Sequence, residues 1–200
     1  MASRAEQSYT APMIPLITHT PRLQVLAASR ALLTAELQKP HYFPVLLGAA
    51  LPADWSSAQV ARPVLEQSLE LLTAGGRDTA GWYGWYALRK ADDTAPRTLV
   101  GAASFGGRPD ATGTAEITFA IAAEWRGQGL GTELVAGLVQ QAADTNLVSR
   151  LVAHTAADNL AAQEVLLRNG FAPAGTADDG RLRFERAVEP SPPPVLPAGA

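Results

Sequence analysis

The stretch Glu124–Leu134, EWRGQGLGTEL, places three glycines at alternate positions directly before an apolar helical pattern. Glycine costs conformational entropy, and helices more often begin with Ser, Thr, Asp or Asn. Either the chain turns sharply here, or a ligand approaches the backbone closely. The first turn of a helix has N–H groups without intrahelical partners and the positive end of the helix dipole, so it suits an anion. Arg126 adds a fixed positive charge suited to phosphate.

The spacing of these glycines distinguishes between the common phosphate-binding patterns. The dinucleotide pattern G-x-G-x-x-G does not fit, because Thr132 stands three positions after Gly129. The P-loop pattern needs a Lys before Ser or Thr, and this loop has no Lys. A nucleotide-binding domain is therefore disfavoured. The stretch from Arg126 to Gly131 fits R-x-x-G-x-G between a predicted strand and a predicted helix.

This motif and a second block resemble the GNAT superfamily of acyl-CoA-dependent N-acyltransferases, in which R/Q-x-x-G-x-G/A binds the diphosphate of coenzyme A. In that family a strand follows, and then an Asn-initiated helix that ends in Gly-Phe. Here RLVAHT is followed by Asp158-Asn159, LAAQEVLLR and Asn169-Gly170-Phe171. The resemblance extends from about residue 20 to residue 188, and it is strongest to the ribosomal-protein N-terminal acetyltransferases, the Rim-type branch.

The resemblance implies that acetyl-CoA, the co-substrate, lies between two splayed strands, EITFAIA and RLVAHT. The pantetheine arm would pair with the backbone of Phe119, Ala120 and Ile121. The diphosphate would lie on Arg126 and on the loop residues Gly127, Gln128, Gly129, Leu130, Gly131 and Thr132. Asn159 would hold the far side of the pantetheine. Asn also suits a helix N-cap, and both interpretations of Asn159 stay open.

The implied reaction moves an acetyl group to a primary amine, either a peptide N-terminus or a small-molecule amine. The amine must be neutral to attack, so we expect a base that acts directly or through water. A backbone N–H on the splayed strand would stabilise the oxyanion. Many family members carry a carboxylate where Glu116 stands, and we expect Glu116 to be the general base. A solvated or hydrogen-bonded carboxylate at a strand edge is the alternative.

The Asn-led helix departs from the family pattern. Family members often place a Ser or Tyr on this helix to protonate the leaving thiolate, but the corresponding positions are Ala162 and Leu166. Neither side chain donates a proton. A catalytically weak acyl-CoA-binding or regulatory module is therefore the alternative function. His154 lies on the second splayed strand and can titrate near neutrality, although a lone His on a strand is more often structural.

The predicted acceptor pocket is defined by aromatic residues. The loop HYFPVLLGAALPADW and the strand GWYGWYALRK supply His41, Tyr42, Phe43, Trp55, Trp82, Tyr83, Trp85 and Tyr86. Aromatics that alternate along a strand usually pack in a core. Docking of an acceptor peptide or amine on some of them is the alternative. No acidic cluster demands a polycationic acceptor.

The elements that would position these residues indicate one α+β domain, with a mixed central sheet, an antiparallel front half and flanking helices. GWYGWYALRK, TLVGAASFGG and AEITFAIA form a predicted meander of three strands. Other predicted strands are RLQVLAA, RLVAHT and Leu182–Val188. Helices are predicted over RALLTAEL, from Ala58 to Ala74, over Thr132–Ala143 and over Leu160–Arg168.

Composition limits the classes of function. The 200 residues carry a formal net charge of -3 and no cysteine. There is no basic footprint for nucleic acid, and the absence of thiols fits a cytoplasmic protein. The three histidines have no metal-ligand spacing, and no apolar run approaches the roughly 18 residues that span a bilayer. We expect no metal, no nucleic-acid or membrane partner, and a monomer or homodimer.

The two ends of the chain differ from the middle. Residues 1–19 are predicted to be an N-terminal extension that leads into the first strand, and they show no signal peptide. Residues 20–188 form the predicted N-acetyltransferase domain. Residues 189–200 are Pro-rich and are predicted to be a disordered tail. Met13 is an alternative candidate for the start of translation.

Overall fold

The computed structural model describes residues 16–53, 55, 62–93 and 95–192. The strands in these ranges are β1 Ile17–His19, β2 Leu23–Ala27, β3 Trp85–Arg89, β4 Thr98–Phe105, β5 Thr114–Ile121, β6 Arg150–Thr155, β7 Ala172–Thr176 and β8 Leu182–Ala187. The helices are α1 Arg30–Gln38, α2 Phe43–Leu47, α3 Arg62–Gly75, α4 Leu130–Thr145 and α5 Leu160–Arg168. Short 3-10 turns cover Gly76–Thr79 and Ala123–Trp125.

All eight strands join one sheet in the order β1-β2-β3-β4-β5-β6-β8-β7. Neighbouring strands are antiparallel except β5 and β6, which are parallel. The parallel pairing covers only Thr114–Glu116 against Arg150–Val152, although β5 stays paired with β4 as far as Ile121. The two strands therefore diverge beyond Glu116. This arrangement confirms the predicted α+β class, the antiparallel front half and the splayed pair.

Helices cover both faces of the sheet. On one face α4 and α5 pack on a core that includes Leu23, Ile117 and Leu151. The apolar stripe of α4 explains this contact, because its buried residues recur at helical spacing: Leu130, Leu134, Val135, Leu138 and Ala142. On the other face α1, α2 and part of α3 pack against β3 and β4 around Leu88 and Leu99. The site lies where β5 leaves β6 between these two layers.

Two strands were not predicted from the sequence. β1 pairs with β2 in the segment interpreted as an extension, so the sheet begins before residue 20. β7 is a fully exposed edge strand with a register shift between Pro173 and Thr176. Proline is tolerated at a sheet edge, and an exposed edge strand lacks the alternating apolar pattern that marks a buried one. The sequence therefore gave no strand signal for either β1 or β7.

The observed start of α4 and the attachment of the C-terminal segment differ from the sequence prediction. α4 begins at Leu130, two residues before the predicted start, so Gly131 lies inside its first turn. The predicted start of α3 at Ala58 lies outside the described residues, as does Met13. In the segment interpreted as a tail, the Ser191 hydroxyl donates to Asp144 Oδ1 at 2.6 Å, so the described part of this segment is attached to α4. Across the described ranges, no helix has both the length and the apolar character needed to cross a membrane.

Candidate active site

The gap between β5 and β6 opens into a cavity of about 500 Å³. Its walls are the end of β5, the glycine loop, the first turn of α4 and one side of α5 as far as Arg168, and no described residue of β6 lines it. The residues predicted to contact the donor all line it except Gln128: they are Phe119, Ala120, Ile121, Arg126, Gly127, Gly129, Leu130, Gly131, Thr132 and Asn159. The fold therefore gathers two blocks that are distant in sequence around one crevice. We refer to this space as the donor cavity.

The three loop glycines have different structural roles. Gly127 and Gly129 have φ angles of 73° and 77°, in the left-handed region where glycine alone is unstrained. Gly131 has no positive φ, but a Cβ there would lie 3.4 Å from Val165 Cγ2 and 3.6 Å from Ile121 Cγ1. The first two glycines make the turn, and the third keeps the crevice open. The loop therefore combines a sharp turn with access to the backbone.

The start of α4 presents hydrogen-bond donors to the donor cavity. Its N-cap is Gly129, and no side chain caps the helix. The amides of the first turn have no intrahelical acceptor, and Leu130, Gly131 and Thr132 line the cavity. Arg126 Nε donates to the Ile121 carbonyl at 2.9 Å, which fixes the guanidinium beside the end of β5. Fixed amides and a fixed cation form a site suited to a diphosphate.

A long-range ion pair holds the glycine loop, and sequence reasoning missed it. Glu133 accepts hydrogen bonds from Thr20 Oγ1 at 2.6 Å and from the Arg22 backbone N–H, also at 2.6 Å. Arg22 Nε lies 2.7 Å from Glu133 Oε2, and Arg22 Nη1 donates to the Gln128 carbonyl at 2.9 Å. The loop is thereby tied to the β1–β2 turn. Because Arg22 and Glu133 are distant in sequence, no local pattern could reveal this contact.

Charge and hydrogen bonding set the protonation of Glu133. Partial burial by itself would raise the pKa of this carboxyl, but the hydrogen bonds from Thr20 and Arg22 and the charge of Arg22 outweigh it. The net effect lowers the pKa of Glu133 below its ordinary value of 4.5. Glu133 is therefore ionised at neutral pH. Its negative charge in the first turn of α4 also complements the helix dipole.

The remaining two donor-side predictions have mixed outcomes. Asn159 is the N-cap of α5, and its side chain accepts from the Ala162 amide at 3.1 Å. It also lines the donor cavity, so the cap and the cavity position coexist. Gln128 is exposed, and its Nε2 donates to the Glu124 carbonyl at 3.3 Å. Its contribution to the loop is the backbone carbonyl that accepts from Arg22.

Glu116 and His154 meet across the point where β5 and β6 separate. His154 Nδ1 lies 2.9 Å from Glu116 Oε1, and the side chains are 12% and 42% exposed, respectively. Arg183 on β8 is the register partner of His154, and Arg183 is itself paired with Glu185 at 2.6 Å. His154 therefore has a carboxylate partner that the sequence did not reveal, and both the structural and the catalytic interpretation of this residue stay predictions.

Residues 35–172 match the acetyltransferase (GNAT) domain family, which is more than half of the chain. The chain belongs to the GNAT acetyltransferase family. It is accordingly an acyltransferase that uses acetyl-CoA as its co-substrate. Among the described residues, no group of three or more His, Asp or Glu side chains is placed to hold a metal ion.

Individual relatives agree with this assignment. The chain is 28% identical over 156 residues to the uncharacterised N-acetyltransferase YjdG of Bacillus subtilis, covering 78% of this chain and 89% of that protein. A RimL alpha-N-protein acetyltransferase in complex with coenzyme A has a similar fold, with a TM-score of 0.58, 19% identity, and coverage of 90% and 100% of the two chains. The microcin C7 self-immunity acetyltransferase MccE, in complex with acetyl-CoA and AMP, has a TM-score of 0.54 at 17% identity, with 84% and 94% coverage.

This GNAT acetyltransferase has a second, smaller cavity of about 190 Å³. It shares Phe119 and Ala120 with the donor cavity, so the two spaces meet at the end of β5. The other walls come from α1, α3, β3 and β4, on the opposite face of the sheet from α4. We refer to this space as the acceptor cavity.

The predicted aromatic residues divide between this cavity and the core. Tyr83, Trp85 and Tyr86 line the acceptor cavity. Trp82 packs edge-on against Phe105 at 5.5 Å in the core. Four aromatic or His positions lie elsewhere: Phe43 and Trp55 are buried, and His41 and Tyr42 are exposed. Core packing thus accounts for part of the aromatic pattern, and cavity walls account for the rest.

A half-buried carboxyl, that of Glu36, fixes two of these aromatics. Glu36 accepts from Trp55 Nε1 at 2.8 Å and from the Tyr86 hydroxyl. Burial raises the pKa of Glu36 although both hydrogen bonds oppose that shift. Burial also raises the pKa of Tyr86 well above 10.0, with the charge of Glu36 adding to it. The Tyr86 phenol therefore stays protonated and hydrogen-bonded to Glu36. The Tyr86 side chain forms part of the wall of the acceptor cavity.

The two positions where family members often carry a thiolate donor lie in different environments. Ala162 lines the donor cavity, and Leu166 is buried in the core at 1% exposure. Thr132 is the one hydroxyl-bearing residue among those lining the donor cavity. Trp125 also lines it, and its indole Nε1 is buried without a partner in the described part of the chain. Trp125 is a position that the sequence motif did not single out.

Proposed function

We propose that this enzyme transfers the acetyl group of acetyl-CoA directly to a primary amine, which approaches from the acceptor cavity. The observation that supports this most strongly is the junction of the two cavities at Phe119 and Ala120. A donor held in one cavity and an amine held in the other would meet at the end of β5. The diphosphate would lie on Arg126 and the amides from Gly127 to Thr132, and the pantetheine would lie along Phe119–Ile121 beside Asn159.

In the proposed reaction the amine nitrogen forms a bond to the thioester carbonyl carbon, and the carbon–sulfur bond breaks. The amine gives up a proton, and the thiolate of coenzyme A takes one. Glu116 is the proposed proton acceptor. It lies two residues before Thr118 on the same face of β5, roughly 7 Å along the strand, so the proton would travel through water. A β5 backbone N–H would stabilise the charge that develops on the carbonyl oxygen.

His154 is proposed to position Glu116. Its Nδ1 is 2.9 Å from Glu116 Oε1, which would fix the carboxylate and share the proton that Glu116 accepts. Water is the proposed proton donor to the thiolate, because Ala162 and Leu166 replace the expected Ser and Tyr.

An acetyl-transfer screen over a broad amine library, read by release of free thiol, tests the proposal. The expected result is thiol release that depends on the amine and yields one acetylated amine per thiol. A catalytically weak acyl-CoA-binding module is the second candidate, favoured by the missing thiolate donor. Tight binding of coenzyme A by calorimetry without thiol release from any amine would favour the module. We also propose, from the sequence alone, that the protein is cytoplasmic and is a monomer or a homodimer.

A further inference from the structure

The acceptor cavity has an uncharged wall. Among the described residues that line it, there is no Asp, Glu, Lys, Arg or His. The wall is largely apolar and comes from Ala28, Leu33, Leu65, Trp85, Ala102 and Phe119. A charged group placed against such a wall loses hydration without gaining a partner. The cavity therefore favours an acceptor whose body, apart from the reacting amine, is neutral.

The size of the acceptor cavity restricts that body further. The volume is about 190 Å³, whereas an apolar protein cavity of roughly 150 Å³ admits benzene. One six-membered ring or an aliphatic group of similar volume fits. A larger body would extend past Val64, which is 46% exposed at the cavity wall.

Within the described residues, three side-chain hydroxyls of this cavity form no hydrogen bond, those of Ser68, Tyr83 and Thr118, and Ser68 is the most buried of these residues. The Tyr86 hydroxyl donates to Glu36, Trp85 Nε1 donates to the Gly81 carbonyl at 2.9 Å, and Ser104 Oγ donates to the Phe105 carbonyl at 2.6 Å. Ser68 on α3 is only 7% exposed, and its side chain forms no hydrogen bond within the described ranges. The Ser68 oxygen is not among the fully enclosed polar atoms that lack a partner, so it reaches the space of the cavity and is available to a ligand there.

We propose that the acceptor is a primary amine on a neutral, apolar body of about one ring, and that the Ser68 hydroxyl hydrogen-bonds a polar group on that body. This inference rests on the proposed function and names its substrate class. A small arylalkylamine and a peptide with an aromatic N-terminal residue both combine a primary amine with an apolar ring. Ser68 acts as a specificity residue, because its hydroxyl strengthens the binding of acceptors that carry a polar group within hydrogen-bonding distance.

The test compares acceptors that differ by one hydroxyl. Phenethylamine and its 2-, 3- and 4-hydroxy isomers are assayed by thiol release with the wild type, S68A, S68T and S104A. We expect at least one hydroxy isomer to exceed phenethylamine in kcat/KM by about three- to tenfold with the wild type. S68A should abolish that ratio, and S68T should restore part of it. S104A is the matched control from the same cavity and should keep the ratio, because the Ser104 hydroxyl is already satisfied by backbone.

Charged acceptors and a peptide complete the design. Spermidine and 4-aminobutyrate should have kcat/KM values at least tenfold below that of the best hydroxy isomer. The kcat/KM of a tripeptide that begins with Tyr is compared with that of the best hydroxy isomer. A higher value for the tripeptide indicates a peptide acceptor, and a lower value indicates a small amine. Preference for spermidine or 4-aminobutyrate, or equal ratios in the wild type and S68A, would overturn the inference.

A binding measurement separates this inference from the proposed function. Each phenethylamine is titrated by calorimetry into the protein saturated with coenzyme A, for the wild type and S68A. Weaker binding of the hydroxy isomer to S68A supports the Ser68 contact even if no thiol is released, and in that case only the proposed function fails. Thiol release with charged amines alone refutes the inference and retains the function.

Discussion

At the scale of single residues, the site depends on contacts between side chains that are far apart in sequence. The glycine motif predicted which positions line the donor cavity, because the motif encodes a local turn and a helix start. The Glu116–His154 contact was not predicted, since it depends on the register between β5 and β6. Local spacing specifies local conformation, whereas partners across a sheet follow from the tertiary fold.

The role of Gly131 can be tested by filling the crevice. In G131V the new side chain would press against Val165 and Ile121 and occupy the donor cavity without requiring a strained φ. We expect affinity for coenzyme A to fall by at least tenfold, by calorimetry, with a native circular dichroism spectrum. A136V is the control, because Ala136 lies on the exposed side of the same helix. Equal affinity in G131V and A136V would contradict the assignment of the cavity.

The proposed base predicts a large loss of turnover when its carboxylate is replaced by an amide. In E116Q the side chain keeps its shape but cannot accept a proton, so kcat should fall by about 10²- to 10⁴-fold. E124Q, which changes an exposed carboxylate, should keep the wild-type profile. An unchanged rate of E116Q across pH would refute the assignment.

His154 has a separate prediction because it is proposed to act through Glu116. In H154A the carboxylate loses its partner, so kcat should fall while the KM for acetyl-CoA stays near the wild-type value. H154Q, which retains a polar group, should recover part of kcat. The measurement is a pH profile of kcat for all three proteins, and a change confined to the KM for acetyl-CoA would argue against a positioning role.

At the scale of elements, the sequence predicted the longer helices and strands with a buried face, but it gave no definite prediction for the short helix α2 and missed the edge strands β1 and β7. The ends of α5 were predicted correctly, because Asn159 caps it and Gly170 follows it. β1 and β7 are edge strands without an alternating apolar pattern. The fold therefore depends on two elements whose sequence signal is weak, and one of them contributes to the turn that holds the glycine loop through Arg22.

The Arg22–Glu133 contact predicts a loss of stability that depends on pH. E133Q removes the charge that accepts from Thr20 and Arg22, and should reduce the free energy of unfolding at pH 7 by ~1–2 kcal/mol. The folded-state pKa of Glu133 lies below 4.5, so this contribution is full above that pH and is lost as the pH falls through the folded-state value. Urea unfolding at several pH values measures the difference from the wild type.

The control for E133Q is E66Q, which removes an exposed ion pair with Arg62. That change should alter stability by ~0.5 kcal/mol or less. Affinity for coenzyme A should fall in E133Q and stay constant in E66Q, since only the first pair holds the glycine loop. Equal destabilisation by both changes would show that the Arg22–Glu133 pair has no special role.

At the scale of the whole molecule, the sheet has a narrow seam. β1 to β5 form one half and β6, β8 and β7 form the other, and the two halves pair directly only over Thr114–Glu116 and Arg150–Val152. The donor cavity lies in this seam, with α4 and the end of β5 on one side and α5 on the other. A molecule bound there contacts both halves and should restrain their relative motion.

Hydrogen exchange can detect this restraint. Saturating coenzyme A should slow amide exchange in the first turns of α4 and α5 and in β6, and should leave β2 and β3 near their unbound rates. G131V, at a coenzyme A concentration just sufficient to saturate the wild type, serves as the control, because its weaker binding should give less slowing. Uniform slowing throughout the sheet, or none despite binding, would contradict a ligand that bridges the seam.

The junction of the two cavities has a consequence for the kinetics. The side chains that both spaces share belong to Phe119 and Ala120, and neither carries a nucleophile. If the proposed direct transfer is right, no acetyl-enzyme intermediate forms there, and we expect both substrates to occupy the enzyme together. Initial rates measured against acetyl-CoA at several fixed amine concentrations should give double-reciprocal lines that intersect. Parallel lines would instead indicate that coenzyme A departs before the amine arrives.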